Sequence, residues 1–153
     1  MLIRRAALID VESIKTLNLN TIQIVNAKDY TNNQIKVWSS FNDADEWKKI
    51  IVIQKFWVVE IETQIVGFGS LTTNGLFDFL YVHHGHQRTG VASLLQEKVE
   101  KEARLQGNSK VFASVSITAQ PFFLSKGYSI LKMERKEVKG EVFVNALMEK
   151  FLF

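Results

Sequence analysis

The run Leu80-Tyr81-Val82-His83-His84-Gly85-His86-Gln87-Arg88-Thr89-Gly90-Val91-Ala92-Ser93 holds residue types, in an order, that suit the binding of an anion. An apolar strand ends, a polar loop turns, and a helix begins on small residues. The first N–H groups of a helix have no partner inside it, and the helix dipole adds partial positive charge at that end. Such a terminus binds phosphate when small side chains let the ligand approach. Gly90 and Ala92 leave that room, Arg88 adds charge, and Ser93 adds a hydroxyl. The competing reading of the same residues is an ordinary strand-to-helix turn whose glycine serves only the backbone.

His83, His84 and His86 could ligate a metal or act as a base. No second ligand cluster accompanies them, so no metal is expected and their first reading is as loop-shaping residues. The chain has no cysteine, which excludes disulfides, thiolate metal sites and a cysteine nucleophile.

These residues need elements to hold them. Leu2–Arg5 reads as a short strand, and Asp10 as the cap of a helix carrying Ile14, Leu17 and Ile24. Thr31 to Gln34 reads as a capping box before Ile35 and Trp38, and Asp43 to Glu46 repeats the signal before Trp47, Ile50 and Ile51. Strands are predicted over Phe56–Glu62 and Ile65–Thr72, with a tight turn at Thr63 and Gln64. Asn74-Gly75 signals a type I′ hairpin into Leu76–Val82.

A helix follows from about Gly90 to Gln106, with Val91, Leu95, Val99 and Ala103 as its buried stripe and Gly107-Asn108 as its stop. Val111–Ile117 alternates as a strand. Thr118 can cap a short helix with Pro121 in its first turn, ended by Gly127. Tyr128–Val138 and Glu141–Lys150 read as a hairpin about Lys139-Gly140. Hairpins precede the alternating helices and strands, which predicts an α/β (α+β) fold. Its central sheet is mixed and mostly antiparallel, flanked by helices.

The 153 residues, 46% hydrophobic and with one proline, suit a single domain over 1–153 with a real core. No leader or membrane-spanning run is apparent: Arg4, Arg5 and Asp10 break the first, Lys55 and Glu60 the second. The simplest expectation is a soluble cytoplasmic protein. A net charge of +3 without a dense basic run argues against nucleic acid as a partner and is compatible with a small polyanion.

Gln87-Arg88-Thr89-Gly90-Val91-Ala92 resembles the signature Q/R-x-x-G-x-G/A with which the GNAT N-acetyltransferase family holds the pyrophosphate of coenzyme A. Ala119-Gln120-Pro121-Phe122-Phe123-Leu124-Ser125-Lys126-Gly127-Tyr128 resembles that family's later A-x-x-F-Y-x-x-x-G-F/Y motif. Two motifs in the right order, separated by a helix and a strand, are much more specific than either alone, and the match in order covers nearly the whole chain. The Asp29-Tyr30-Thr31 helix start and the Trp38 region further resemble a bacterial subgroup called YafP-like.

The resemblance implies a GNAT-like acyl-CoA N-acyltransferase fold. It implies acetyl-CoA as acyl-donor substrate and an amine of a small molecule or peptide as acceptor; the sequence does not fix the assembly, for which a homodimer is one option. Main-chain N–H groups from Arg88 to Ala92, with Ser93, would hold pyrophosphate. Leu80, Tyr81 and Val82 would pair with the pantetheine arm like an added strand, and Phe122 and Phe123 would pack near it. Ser116 stands where the family often has asparagine. Tyr30, Trp38 and Trp47 fall in the helical region over the acceptor site, where they are either pocket or core.

Acetyl transfer needs a base for the amine, an N–H for the oxyanion and a departing thiolate. Asp78, on a strand face shared with Leu76, Leu80 and Val82 if the strand alternates, is the first candidate base and Glu60 the second. Val82 offers the oxyanion N–H. Many members carry a tyrosine acid where this chain has Phe123. Three readings remain open: the thiolate leaves unaided, Tyr30, Tyr81 or Tyr128 takes over, or the chain binds acyl-CoA without turnover as a regulatory module. An unrelated phosphate-binding domain is the reading outside the family.

Overall fold

Twelve regular elements alternate between hairpins and helices over residues 1–153, all described by the computed structural model. In chain order they are β1 (Leu2–Arg5), α1 (Val11–Ile24), α2 (Asn32–Ser39), α3 (Ala44–Ile53), β2 (Lys55–Ile61), β3 (Gln64–Leu71) and β4 (Phe77–Val82). Then come α4 (Val91–Leu105), β5 (Lys110–Val115), α5 (Gln120–Ser125), β6 (Ser129–Val138) and β7 (Glu141–Phe151). Two antiparallel sheets result, in the orders β1-β2-β3-β4 and β5-β7-β6. They meet at a single parallel bridge, Leu76 opposite Phe112, where the Phe112 N–H donates to the Gly75 carbonyl at 3.1 Å. Beyond that bridge β4 and β5 share no ladder. The expected fold is therefore present, and its parallel part is this one bridge.

Local signals explain most elements. Thr31 accepts from the Gln34 N–H at 3.1 Å while the Gln34 side chain accepts from the Thr31 N–H at 2.8 Å, closing the capping box of α2. Lys139 and Gly140 both have positive φ, 49° and 82°, as a type I′ turn between β6 and β7 requires. The stripe Val91, Leu95, Val99 and Ala103 is buried against β3 and the inner face of β5 and β7. A second cluster on the opposite face of the first sheet packs Trp47 and Ile51 of α3, and Ile14 and Leu17 of α1, over Phe56 and Phe68.

Several local expectations are corrected. Asp10 does not cap α1 with its side chain. It turns back to accept from the Ala7 N–H at 2.8 Å and from both terminal nitrogens of Arg4 at 2.8 and 2.9 Å. Asp43 caps α3 through the Asp45 N–H rather than by a reciprocal box with Glu46. The β2–β3 turn falls on Glu62 and Thr63, both left-handed, one residue earlier than expected. Asn74 has no positive φ; the β3–β4 connection is a longer loop with Gly75 alone left-handed. Ile117 lies past the end of β5 and is exposed. Thr118 donates its hydroxyl to Asp29 at 2.8 Å instead of capping α5, and the Ser116 oxygens accept the Ala119 N–H.

Candidate active site

The divergence of β4 from β5 opens a cavity of about 1540 Å³. It runs from the N-terminus of α4 to α1 and α2 and is flanked by the β6–β7 hairpin. Its β4 edge is unpaired. The His83 N–H donates to the Val66 carbonyl at 2.8 Å, and residues bonded across an antiparallel ladder alternate, so Tyr81 also turns its amide groups to β3. Leu80 and Val82 consequently turn theirs into the gap. The Val82 carbonyl already accepts from the Gln87 side-chain amide at 2.6 Å, which leaves the Val82 N–H and both amide groups of Leu80 for a ligand.

At the α4 end the backbone leaves several N–H groups without a partner in the helix. Arg88 and Gly90 are both left-handed, with φ of 59° and 92°, and such reversals gather successive N–H groups into a concavity. The first helical hydrogen bond runs from the Leu94 N–H to the Gly90 carbonyl at 3.0 Å, so the N–H groups of Val91, Ala92 and Ser93 precede the ladder. A Cβ on Gly90 would touch nothing within 4 Å, which leaves the approach open.

The structure gathers most of the residues singled out from the sequence along this cavity: Leu80, Tyr81, Val82, Arg88, Gly90, Ala92, Ser93, Ser116, Phe122, Phe123, Tyr30 and Trp38. Gln87 also lines it, as the brace that ties the loop to β4. Thr89 and Val91 do not. Thr89 donates its hydroxyl to the His86 carbonyl at 2.6 Å, and Val91 is a core residue.

The two carboxylates separate. Glu60 lies away from the cavity and is held by Arg4, whose Nε donates to it at 2.7 Å; it is a structural partner. Asp78 lines the cavity, but not on the face expected. Gly69 pairs with Leu80 and Leu71 with Phe77, so β4 carries one extra residue between them. This bulge breaks the alternation. Phe77, Leu80 and Val82 pack with the α4 cluster, Phe79 and Tyr81 with the α1–α3 cluster, and Asp78 turns to the end of α3, where the side-chain amide of Gln54, just past its last residue, donates to it at 2.6 Å.

The tyrosines also separate. Tyr128 is buried and donates to Glu100 at 3.0 Å; burial and that carboxylate push its ionisation well up. Tyr30 lines the cavity, its hydroxyl oxygen accepting the Ile117 N–H at 2.9 Å, and burial raises its pKa. Tyr81, also lining it, stacks on Phe68, and burial raises its pKa strongly. Trp47 belongs to the core, whereas Trp38 is half-buried beside Tyr30. His83 accepts the Gly85 N–H on Nδ1 at 2.9 Å, and burial followed by its neighbours His84 and His86 lowers its pKa. No group of three or more His, Cys, Asp or Glu side chains is placed to hold a metal ion.

Sequence reasoning missed Gln54, and missed Phe143 of β7, whose ring meets Tyr30 and Trp38 at centroid distances of 6.2 and 6.3 Å. Nothing local marks either residue, because both contacts join elements far apart in the chain.

The family model described as an acetyltransferase (GNAT) domain matches residues 26–150. A curated relative, an uncharacterized N-acetyltransferase YafP of Escherichia coli (strain K12), is 30% identical over 139 residues, 91% of this chain and 88% of its own. A GCN5-related N-acetyltransferase from Rhodopseudomonas palustris superimposes with a TM-score of 0.94 at 25% identity, over 99% of this chain and 95% of that one. The PaiA N-acetyltransferase of Thermoplasma acidophilum, solved in complex with coenzyme A, has the same fold, with a TM-score of 0.78 at 17% identity over 98% of both chains. The chain belongs to the GNAT family and is an acyltransferase.

Proposed function

We propose that this chain transfers the acetyl group of acetyl-CoA to a primary amine carried by a small molecule or peptide. One observation carries the reading: the Val82 N–H and both amide groups of Leu80 open into the same cavity as the unladdered N–H groups of α4. The first set suits an amide-bearing arm laid beside β4 as an added strand. The second suits the pyrophosphate at its end. Arg88 and Ser93 would add charge and a hydroxyl there.

In the transfer, the amine nitrogen attacks the thioester carbon, the C–N bond forms, and the C–S bond breaks with its electron pair going to sulfur. The amine loses one proton and the thiol gains one. The Val82 N–H is the proposed donor to the oxyanion. Asp78, held by Gln54, is the proposed acceptor of the amine proton, directly or through water. Phe123 can give no proton, but a thiol with a pKa of about 8.5 can leave as thiolate and be protonated by solvent.

The test is calorimetry with acetyl-CoA followed by thiol release on adding an amine. Binding with amine-stimulated release supports the reading. Binding without release by any amine reduces the chain to a coenzyme-binding module, and no binding overturns the reading.

A further inference from the structure

The end of the cavity remote from α4 has a composition that selects among amines. Its helical wall is supplied by Val25, Asn26, Tyr30, Val37, Trp38 and Phe41, none of them charged. Tyr30 and Trp38 meet edge to face at 5.2 Å, and Phe143 completes an aromatic trio with them. Across the gap, β4 adds Phe79 and Tyr81 to the lining.

Contacts also join the hairpin to α2 at this end. The Gln34 amide donates to the Val142 carbonyl at 2.8 Å, and Lys139 donates to the Ser40 hydroxyl at 2.9 Å. The Lys139 ammonium also lies 4.6 Å from the centre of the Phe41 ring. The β6–β7 hairpin is thus clamped to α2 over the cavity. The hairpin's charged side chains at this rim are mixed, Glu134 and Glu137 beside Arg135, Lys136 and Lys139, and β4 adds the carboxylate of Asp78.

Resting on the function proposed above, we infer that the acceptor is a compact amine on an aromatic or apolar body, not a polycation and not a residue of a folded protein. Burial of an apolar body against Tyr30, Trp38 and Phe143 supplies its binding. A polyamine or aminoglycoside carries several ammonium groups, each needing a carboxylate or water once bound. The helical wall has no carboxylate, Asp78 on β4 is assigned to the reacting amine, and the hairpin's two carboxylates are outnumbered by its three cations, so further ammonium groups are disfavoured. The clamp narrows this end against a folded surface.

The acceptors to compare are 2-phenylethylamine, spermidine, kanamycin and a short alanine-terminated peptide, each assayed by thiol release at saturating acetyl-CoA. The expected result is kcat/KM for 2-phenylethylamine at least about tenfold above the other three, the scale of one well-placed apolar contact. Phe143→Leu should raise KM for 2-phenylethylamine several-fold and leave KM for acetyl-CoA unchanged. A second readout needs no turnover. Trp47 and Trp57 are buried in the core and Trp38 lines the cavity, so 2-phenylethylamine should change tryptophan emission in the coenzyme-loaded protein, and Trp38→Phe should abolish the change. Preference for spermidine, kanamycin or the peptide overturns the inference while leaving acetyl transfer intact. Absence of any emission change together with absence of turnover also overturns it. Failure to bind acetyl-CoA at all overturns the function beneath it.

Discussion

At the scale of single residues, the two acid–base questions give opposite expectations. Asp78 is exposed, lines the cavity and is oriented by Gln54. Asp78→Asn keeps that contact's shape and removes the base. Turnover should fall by about a hundredfold or more while acetyl-CoA affinity stays put; a fall under about threefold in steady-state assays assigns the proton to water. The tyrosines are expected to matter little for chemistry. Tyr128→Phe removes a buried hydroxyl from Glu100, which Lys150 also holds at 2.8 Å. It should cost about 1–3 kcal/mol of stability by denaturant titration and leave single-turnover transfer unchanged. Tyr30→Phe should slow single-turnover transfer less than about tenfold, because a thiolate leaves without help. A hundredfold loss with coenzyme binding intact would make Tyr30 the proton donor. The left-handed turn and open helix start at α4 were legible here from their own residues, since helix N-termini and small side chains act locally. The orientation of Asp78 was not, because the bulge that turns it is set by pairing with β3.

At the scale of elements, α4 must lie close on β3 for its N-terminus to face the cavity, and Gly67 makes that approach. A Cβ there would stand 2.6 Å from Val91 Cγ1 and 3.2 Å from the Tyr81 carbonyl oxygen. Val91 is in the first turn of α4, so relief has to move the turn that carries the proposed phosphate site. Gly67→Ala should cost about 1–3 kcal/mol and also raise the dissociation constant for acetyl-CoA. Gly69→Ala is the control: its Cβ would be 3.2 Å from the Phe79 carbonyl oxygen and 3.6 Å from Leu95, away from the first turn, so coenzyme affinity should hold in calorimetry. Gly90→Glu attacks the same site from the front. Wild type at about 100 times the dissociation constant should gain roughly 2.7 kcal/mol from acetyl-CoA. The variant, with bulk and negative charge at the phosphate position, should show no shift in melting temperature. The Asp10 and Thr118 side chains do not cap their helices, but periodicity and the Thr31 and Asp43 caps located the helices. These signals could not show that the strands form two sheets touching at one bridge, because the pairing of β5 with β7 joins residues 31 to 41 apart in sequence.

At the scale of the whole molecule, one ion cluster ties the first strand to the rest of the fold. Arg4 on β1 donates to Asp10 at the start of α1 and to Glu60 on β2. The bidentate Arg4 contact, then the Ala7 N–H, hold the buried Asp10 carboxyl below its usual range, while desolvation opposes them. Asp10 therefore binds its proton less tightly when folded than when unfolded. The stability this contributes is fully present above the unfolded carboxylate pKa, about 3.9. It is lost as pH falls through that value and on through the lower folded one. Arg4 stays charged across the range, its own ionisation pushed further up by Asp10. Asp10→Asn should thus be less stable than wild type at pH 7, by about 1–3 kcal/mol for one buried charged contact, and the difference should shrink as pH falls from 5 toward 2. Urea titrations of both proteins at several pH values measure it. A difference that stays constant across that window would mean that shape and hydrogen bonding, not the carboxylate charge, are what Asp10 supplies.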